Sequence, residues 1–104
     1  MGDLREIERA QQVTELQNKI KAAFPGTVME RFGPGSIAKS LHPKGLALDL
    51  KGDNLAQKAA WAIKQDGVKV VIYNGLIWTP GKGWHRYVGP NPHKNHVHVD
   101  LGPS

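Results

Sequence analysis

The dipeptide Asn74-Gly75 is the strongest local constraint on how this chain folds. It separates two strand-like runs, Val68 to Tyr73 and Leu76 to Thr79. Asn and Gly readily adopt the positive φ angles that a two-residue type I′ turn requires. The sequence therefore predicts a β-hairpin here, and with it an antiparallel sheet.

Two segments have the pattern of a helix. The first runs from about Leu4 to Ala23, where apolar residues recur at near-helical spacing before Pro25-Gly26 ends the pattern. The second follows Asp53 or Asn54, either of which is a suitable N-cap. Its predicted buried stripe is Leu55, Ala59, Ala62 and Ile63, with Gly67 at its end.

Three more segments have the pattern of strands, namely Thr27 to Phe32, Gly45 to Leu50 and His96 to Leu101. The last two alternate, with apolar residues on one face and Asp49 or histidines on the other. Pro80 to Pro92 is predicted to be irregular. Because helices and strands do not alternate strictly, we expect an α+β fold with a small, mainly antiparallel sheet and flanking helices.

The length of 104 residues predicts a single domain, with an N-terminal helix in residues 1–26 and a core in residues 27–101. The absence of cysteine excludes disulfides and thiolate metal sites. Residues 1–6 are polar and lack the apolar stretch of a secretory signal, and the longest apolar run, residues 70–73, is too short to cross a bilayer. The net charge of +5 favours an anionic partner, such as nucleic acid, acidic lipid or an acidic cell-wall polymer.

Four of the five histidines lie between His85 and His98, and the fifth, His42, precedes Asp49 by seven residues. We expect His42, Asp49 and His98 to converge, because a loop end and two strand faces can meet at one site. Two imidazoles and one carboxylate leave zinc an open fourth position for water, as hydrolysis requires. The alternatives are an ordinary half-exposed strand for His96 to His98 and a surface salt bridge for Asp49.

The pattern Ser-x-His-x-x-Gly-x-Ala-x-Asp at residues 40–49, followed by His96-Val97-His98, resembles one family of zinc peptidases. That family includes D-Ala-D-Ala carboxypeptidases, L-Ala-D-Glu phage endolysins and the hedgehog signalling domain. The resemblance covers roughly Thr27 to Leu101 and implies a hedgehog/DD-peptidase-like fold. It implies that His42, Asp49 and His98 bind zinc and that His96 is catalytic.

The sequence departs from the carboxypeptidase branch at Asn95, where that branch has a general-base Glu. The spacing His-x-x-His-x-His at residues 93–98 is instead similar to the murein endopeptidase branch. The resemblance then implies that His96 or His93 is the base. It also suggests that Arg31 stabilises the oxyanion or holds a substrate carboxylate, with an exposed salt bridge as the alternative.

The implied function is zinc-dependent hydrolysis of peptidoglycan stem peptides or cross-links, with endopeptidase activity favoured over carboxypeptidase activity. We expect a monomer that acts at the bacterial cell wall, secreted or encoded by a phage, without nucleic acid or membrane insertion. The main alternative is an inactive, zinc-bearing module that binds cell wall or protein. A nuclease of the His-Asn-His type is a weaker alternative, because no helix can follow His98 in the remaining residues.

Overall fold

The computed structural model describes residues 4–31, 46–89 and 94–101. This part of the chain forms two helices and six strands. In chain order they are α1 (Leu4–Ala23), β1 (Val28–Glu30), β2 (Ala47–Lys51), α2 (Leu55–Ala62), β3 (Val70–Tyr73), β4 (Leu76–Thr79), β5 (Gly83–Arg86) and β6 (Val97–Asp100). The predicted α+β class with a small antiparallel sheet is confirmed.

The six strands form one sheet in the order β1-β2-β6-β3-β4-β5, and every neighbouring pair is antiparallel. The last of the described strands, β6, therefore lies in the middle of the sheet, between β2 and β3. The predicted hairpin joins β3 to β4, with φ of 51° at Asn74 and 79° at Gly75. The insertion of β6 beside β2 brings two distant segments of the chain into contact.

One face of the sheet packs against both helices and forms the core. The strands supply alternate residues to it, because successive side chains of a strand point to opposite faces. The fully or nearly fully buried members are Val13, Leu16 and Ile20 of α1, Ala59 and Ala62 of α2, Val68 between α2 and β3, and Leu48, Leu50, Val71, Val97, Val99 and Leu101 of the sheet region. We call this surface the helix face.

Helix α1 has the bounds that its sequence predicts, and several contacts tie it and the residue after it to the rest of the molecule. Arg9 Nη1 donates a hydrogen bond of 2.7 Å to the carbonyl oxygen of Leu101. Beyond the end of α1, the rings of Phe24 and Trp61 meet edge to face, with their centroids 6.0 Å apart. Such aromatic pairs contribute about 0.5–1.5 kcal/mol beyond the area they bury.

The structure corrects the prediction for residues 80–92, part of which forms the strand β5. Four residues, Gly83–Arg86, pair with β4, and the turn between the two strands uses Gly81 at φ 83°. The strand was missed because so short a run has too few residues for its alternation to stand out. The backbone N–H and C=O groups of this segment find hydrogen-bond partners in β4, which the local sequence pattern does not reveal.

Two further predictions differ in detail from the structure. The first strand is formed at Val28–Glu30, within the predicted Thr27 to Phe32, of which Phe32 lies outside the described residues. Asn54 occupies the N-cap of α2, but it has φ 59° and makes no side-chain capping hydrogen bond. Its tolerance of the left-handed conformation, a property that Asn has more than most residues, accounts for its position there.

No helix in the described part of the chain is both long enough and apolar enough to cross a membrane.

Candidate functional site

A group of buried and partly buried polar side chains lies on the sheet face opposite the helix face. The pairing of β2 with β6 sets Asp49 directly opposite His98 and Ala47 directly opposite Asp100. His98 and Asp100 are each 8% exposed, although both carry groups that water solvates strongly. We call the face that bears Asp49, His96, His98 and Asp100 the site face.

The His98 ring lies between two carboxylates. Its Nε2 donates a hydrogen bond of 2.8 Å to Asp100 Oδ2, and its Nδ1 lies 3.4 Å from Asp49 Oδ1. Burial by itself lowers the pKa of His98, but hydrogen bonding to Asp100 and Asp49 and the charges of both carboxylates outweigh it and raise the pKa to about 9. The two neighbouring carboxylates therefore favour the imidazolium form of His98.

His96 lies beside this pair and immediately precedes β6. Its Nδ1 is 2.7 Å from Asn95 Oδ1, an oxygen that can only accept, so Nδ1 carries the proton and donates it. In the neutral ring, Nε2 then keeps its lone pair, and this atom lies 3.7 Å from Asp49 Oδ1. The nitrogen of His96 that is able to take up a proton is thus the one nearest to Asp49.

The distance between the donor atoms of Asp49 and His98 can be compared with the distance between two ligand atoms bound to one zinc ion. Zinc bonds of about 2.0–2.2 Å to histidine nitrogen and carboxylate oxygen, at tetrahedral angles, set two donors about 3.3–3.5 Å apart. Asp49 Oδ1 and His98 Nδ1 are 3.4 Å apart. These two residues therefore fit as neighbouring ligands of one zinc ion, provided that His98 gives up its Nδ1 proton.

The predicted third ligand, His42, and the predicted second candidate base, His93, both lie outside the described residues. Within residues 4–31, 46–89 and 94–101, no set of three or more His, Asp or Glu side chains is arranged to hold a metal ion. The described residues thus supply a pair of donors that fits zinc, and the three-ligand set stays a prediction.

Arg31 lies away from this group, on the side of the sheet that faces α1. Its guanidinium donates hydrogen bonds to Ala10 O and Thr14 Oγ1, both at 2.7 Å, and to Gln17 Oε1 at 3.1 Å. Burial lowers the pKa of Arg31. These contacts tie β1 to α1, so they lend no support to the predicted role of Arg31 in catalysis, which stays a prediction.

Two residues of the site were given no role by the sequence. The alternation of His96, His98 and Asp100 places Asp100 on the site face, but residues two apart in a strand do not generally bond to each other. Asn95 attracted notice only as a departure from the carboxypeptidase pattern. The only sequence feature that could have indicated a role for Asp100 and Asn95 is their position beside the histidines. The side-chain geometry shows that each of them hydrogen-bonds to an imidazole.

Comparison with known proteins gives one match. The family model described as the C-terminal domain of VldE matches residues 7–98. No curated protein and no solved structure matches the chain. The matched region begins within α1 and ends at His98, so it contains Asp49 and His96 as well. Because the match covers most of the chain, the chain belongs to the family of the VldE C-terminal domain.

Proposed function

We propose that this chain is a zinc-dependent peptidase that hydrolyses peptide bonds in bacterial peptidoglycan. The observation that carries the proposal is the separation of 3.4 Å between Asp49 Oδ1 and His98 Nδ1, which suits one zinc ion, with His96 Nε2 beside them. The resemblance of residues 40–49 and of His96-Val97-His98 to zinc peptidases supports the same chemistry.

The zinc ion would be held by His42, Asp49 and His98. When bound, zinc supplies a Lewis acid that polarises the scissile carbonyl group and makes water available as a nucleophile near neutral pH. The carboxylate of Asp49 offsets only part of the charge of the ion, since the two imidazoles bind in their neutral form. With zinc bound, the site would keep a net positive charge that stabilises the developing oxyanion.

His96 is the proposed general base and acid. As the attacking water forms its bond to the carbonyl carbon, His96 Nε2 takes its proton, while Nδ1–H stays bonded to Asn95 Oδ1. The Asp49 carboxylate, 3.7 Å from Nε2, stabilises the imidazolium that results. His96 then returns the proton to the leaving amine nitrogen as the carbon–nitrogen bond breaks.

The proposed substrates are stem peptides or cross-links of peptidoglycan, whose carboxylates suit a protein of net charge +5. Cleavage within these peptides is favoured over removal of a terminal D-Ala. A carboxypeptidase must hold a free carboxylate, and the three hydrogen bonds of Arg31 to α1 and its side chains do not place its guanidinium for that task. The proposed enzyme works as a monomer at the cell wall, without nucleic acid or membrane insertion.

The test combines metal analysis with product analysis. The protein is incubated with zinc, dialysed and assayed for metal, then added to cross-linked muropeptides and to a free pentapeptide, with His96→Ala as the matched control. We expect about one zinc per chain and new peptide termini from the cross-linked substrate, identified by mass. One zinc per chain with no product would favour the inactive binding module. Release of D-Ala alone would contradict the endopeptidase assignment. Failure to bind zinc would overturn the proposal.

A further inference from the structure

The carboxylate of Asp100 is buried in the centre of the sheet, where the structure gives it a specific partner. It accepts a hydrogen bond of 2.8 Å from His98 Nε2, and both side chains are almost entirely enclosed. On the neighbouring strands, Asp100 stands opposite Ala47 and Val70. An apolar residue at this position would avoid the desolvation of a carboxylate, so packing alone does not explain an aspartate here.

The hydrogen bond determines which nitrogen of His98 is available to bind a metal. A neutral imidazole carries one proton, and the partner of one ring nitrogen decides which nitrogen keeps it. With the proton on Nε2 held by Asp100, the lone pair is on Nδ1. That is the nitrogen 3.4 Å from Asp49 Oδ1. The opposite tautomer would direct an N–H group at the position that zinc must occupy.

We propose that Asp100 is a positioning residue of the metal centre, which fixes the tautomer and the ring orientation of His98 so that Nδ1 binds the ion. Asp100 acts through His98 and does not touch the substrate. Its negative charge also makes the imidazole a stronger donor to the metal. This inference rests on the proposed function to the extent that it takes His98 as a zinc ligand.

Zinc affinity, measured by competition with a chromophoric chelator, tests this role without relying on activity. We expect Asp100→Ala to weaken zinc binding about 10- to 100-fold, the usual effect of removing the partner of a ligating histidine. Asp100→Asn retains an oxygen that can accept from Nε2–H, so its affinity should recover to within a few-fold of wild type. The control is Asp66→Ala, which removes an exposed carboxylate and should leave zinc binding unchanged.

A second measurement uses ¹⁵N-labelled histidine in the zinc-loaded wild-type protein. The NMR correlations of His98 should show a protonated Nε2 and a metal-bound Nδ1. This readout needs no variant, so it holds even if Asp100→Ala fails to fold. Zinc on Nε2, or wild-type affinity in folded Asp100→Ala, would overturn the positioning role.

The outcomes also separate this inference from the proposed function. Zinc bound through Nδ1 with weakened binding in Asp100→Ala, but without peptide cleavage, would refute the peptidase and leave the positioning role intact. Peptide cleavage by the wild-type protein, with unchanged zinc affinity in Asp100→Ala, would refute the positioning role and leave the peptidase intact. A wild-type protein that binds no zinc would overturn both.

Discussion

The two faces of strand β6 are both buried, yet they differ in what burial does for the protein. Val97 and Val99 pack on the helix face, where removing each valine side chain from water stabilises the fold by about 1.5–3 kcal/mol. His98 and Asp100, on the site face, lose their hydration and recover part of that loss through the hydrogen bond between them. The helix face therefore supplies most of the hydrophobic stabilisation, while the proposed metal site would explain why two charged side chains are buried on the site face.

The largest effect is expected from removing a carboxylate of the site face. Asp49→Ala should reduce bound zinc from about one ion per chain to almost none, because an open site with three protein ligands depends on each of them. Peptide hydrolysis should fall to background. Metal analysis after dialysis and product mass spectrometry measure both. Stoichiometric zinc in this variant would mean that Asp49 is not a ligand.

The adjacent residue Leu48 provides the matched change on the helix face. It is 1% exposed, and Leu48→Ala should lower the free energy of unfolding by about 2–5 kcal/mol, because it leaves a cavity in the core. Zinc stoichiometry should stay at about one in the fraction that is folded. Denaturant unfolding gives the first quantity and metal analysis the second. Loss of zinc from well-folded Leu48→Ala would contradict the expectation that residues of the helix face do not affect zinc binding.

The site face should also respond to pH in the metal-free protein. The folded-state pKa of His98, about 9, lies above the unfolded value of 6.5, so its contribution to stability is complete below pH 6.5 and is lost as pH rises through 9. A difference of this size corresponds to about 3 kcal/mol. The free energy of unfolding, measured with a chelator present, should be lower at pH 9.5 than at pH 6. In His98→Gln the difference between the two pH values should be smaller.

Zinc should reverse this trend, because the ion must displace the Nδ1 proton of His98. Apparent zinc affinity is expected to rise by up to about tenfold per pH unit until the pKa of His98 is passed. Chelator competition across this range measures the slope. An affinity that does not change with pH would contradict the assignment of His98 as a ligand that is protonated in the metal-free protein.

His96 should affect catalysis without holding the metal. His96→Ala is expected to retain about one zinc per chain and to lose turnover by about 10²-fold or more, the usual contribution of a general acid or base. Rates on cross-linked muropeptides, with zinc content measured in parallel, test this expectation. Unchanged turnover would transfer the role to His93.

The smallest effect is expected at Asn95, which orients His96. Losing one hydrogen bond worth about 0.5–1.5 kcal/mol should lower kcat by about 2- to 10-fold in Asn95→Ala, with little change in KM. Asn95→Asp keeps an acceptor at the same place and should retain more of the wild-type kcat. Equal losses in both variants would show that the amide does more than accept this bond.

Much of the local structure follows from the sequence alone. The bounds of α1, the hairpin at Asn74-Gly75 and the alternation that sets His98 and Asp100 against Val97 and Val99 all depend on residues close together in the chain. Helical periodicity, turn propensity and the two-residue period of a strand are local properties, so neighbouring residues are sufficient to predict them.

The tertiary structure decided what the local pattern could not. The insertion of β6 between β2 and β3 places Asp49 opposite His98, and it depends on pairing between distant segments. The same is true of β5, which becomes a strand by pairing with β4, and of Arg31, whose guanidinium binds α1. Which nitrogen of His98 meets Asp100 depends on side-chain rotamers in the packed sheet, because sequence spacing specifies a face but not the atoms that touch across it.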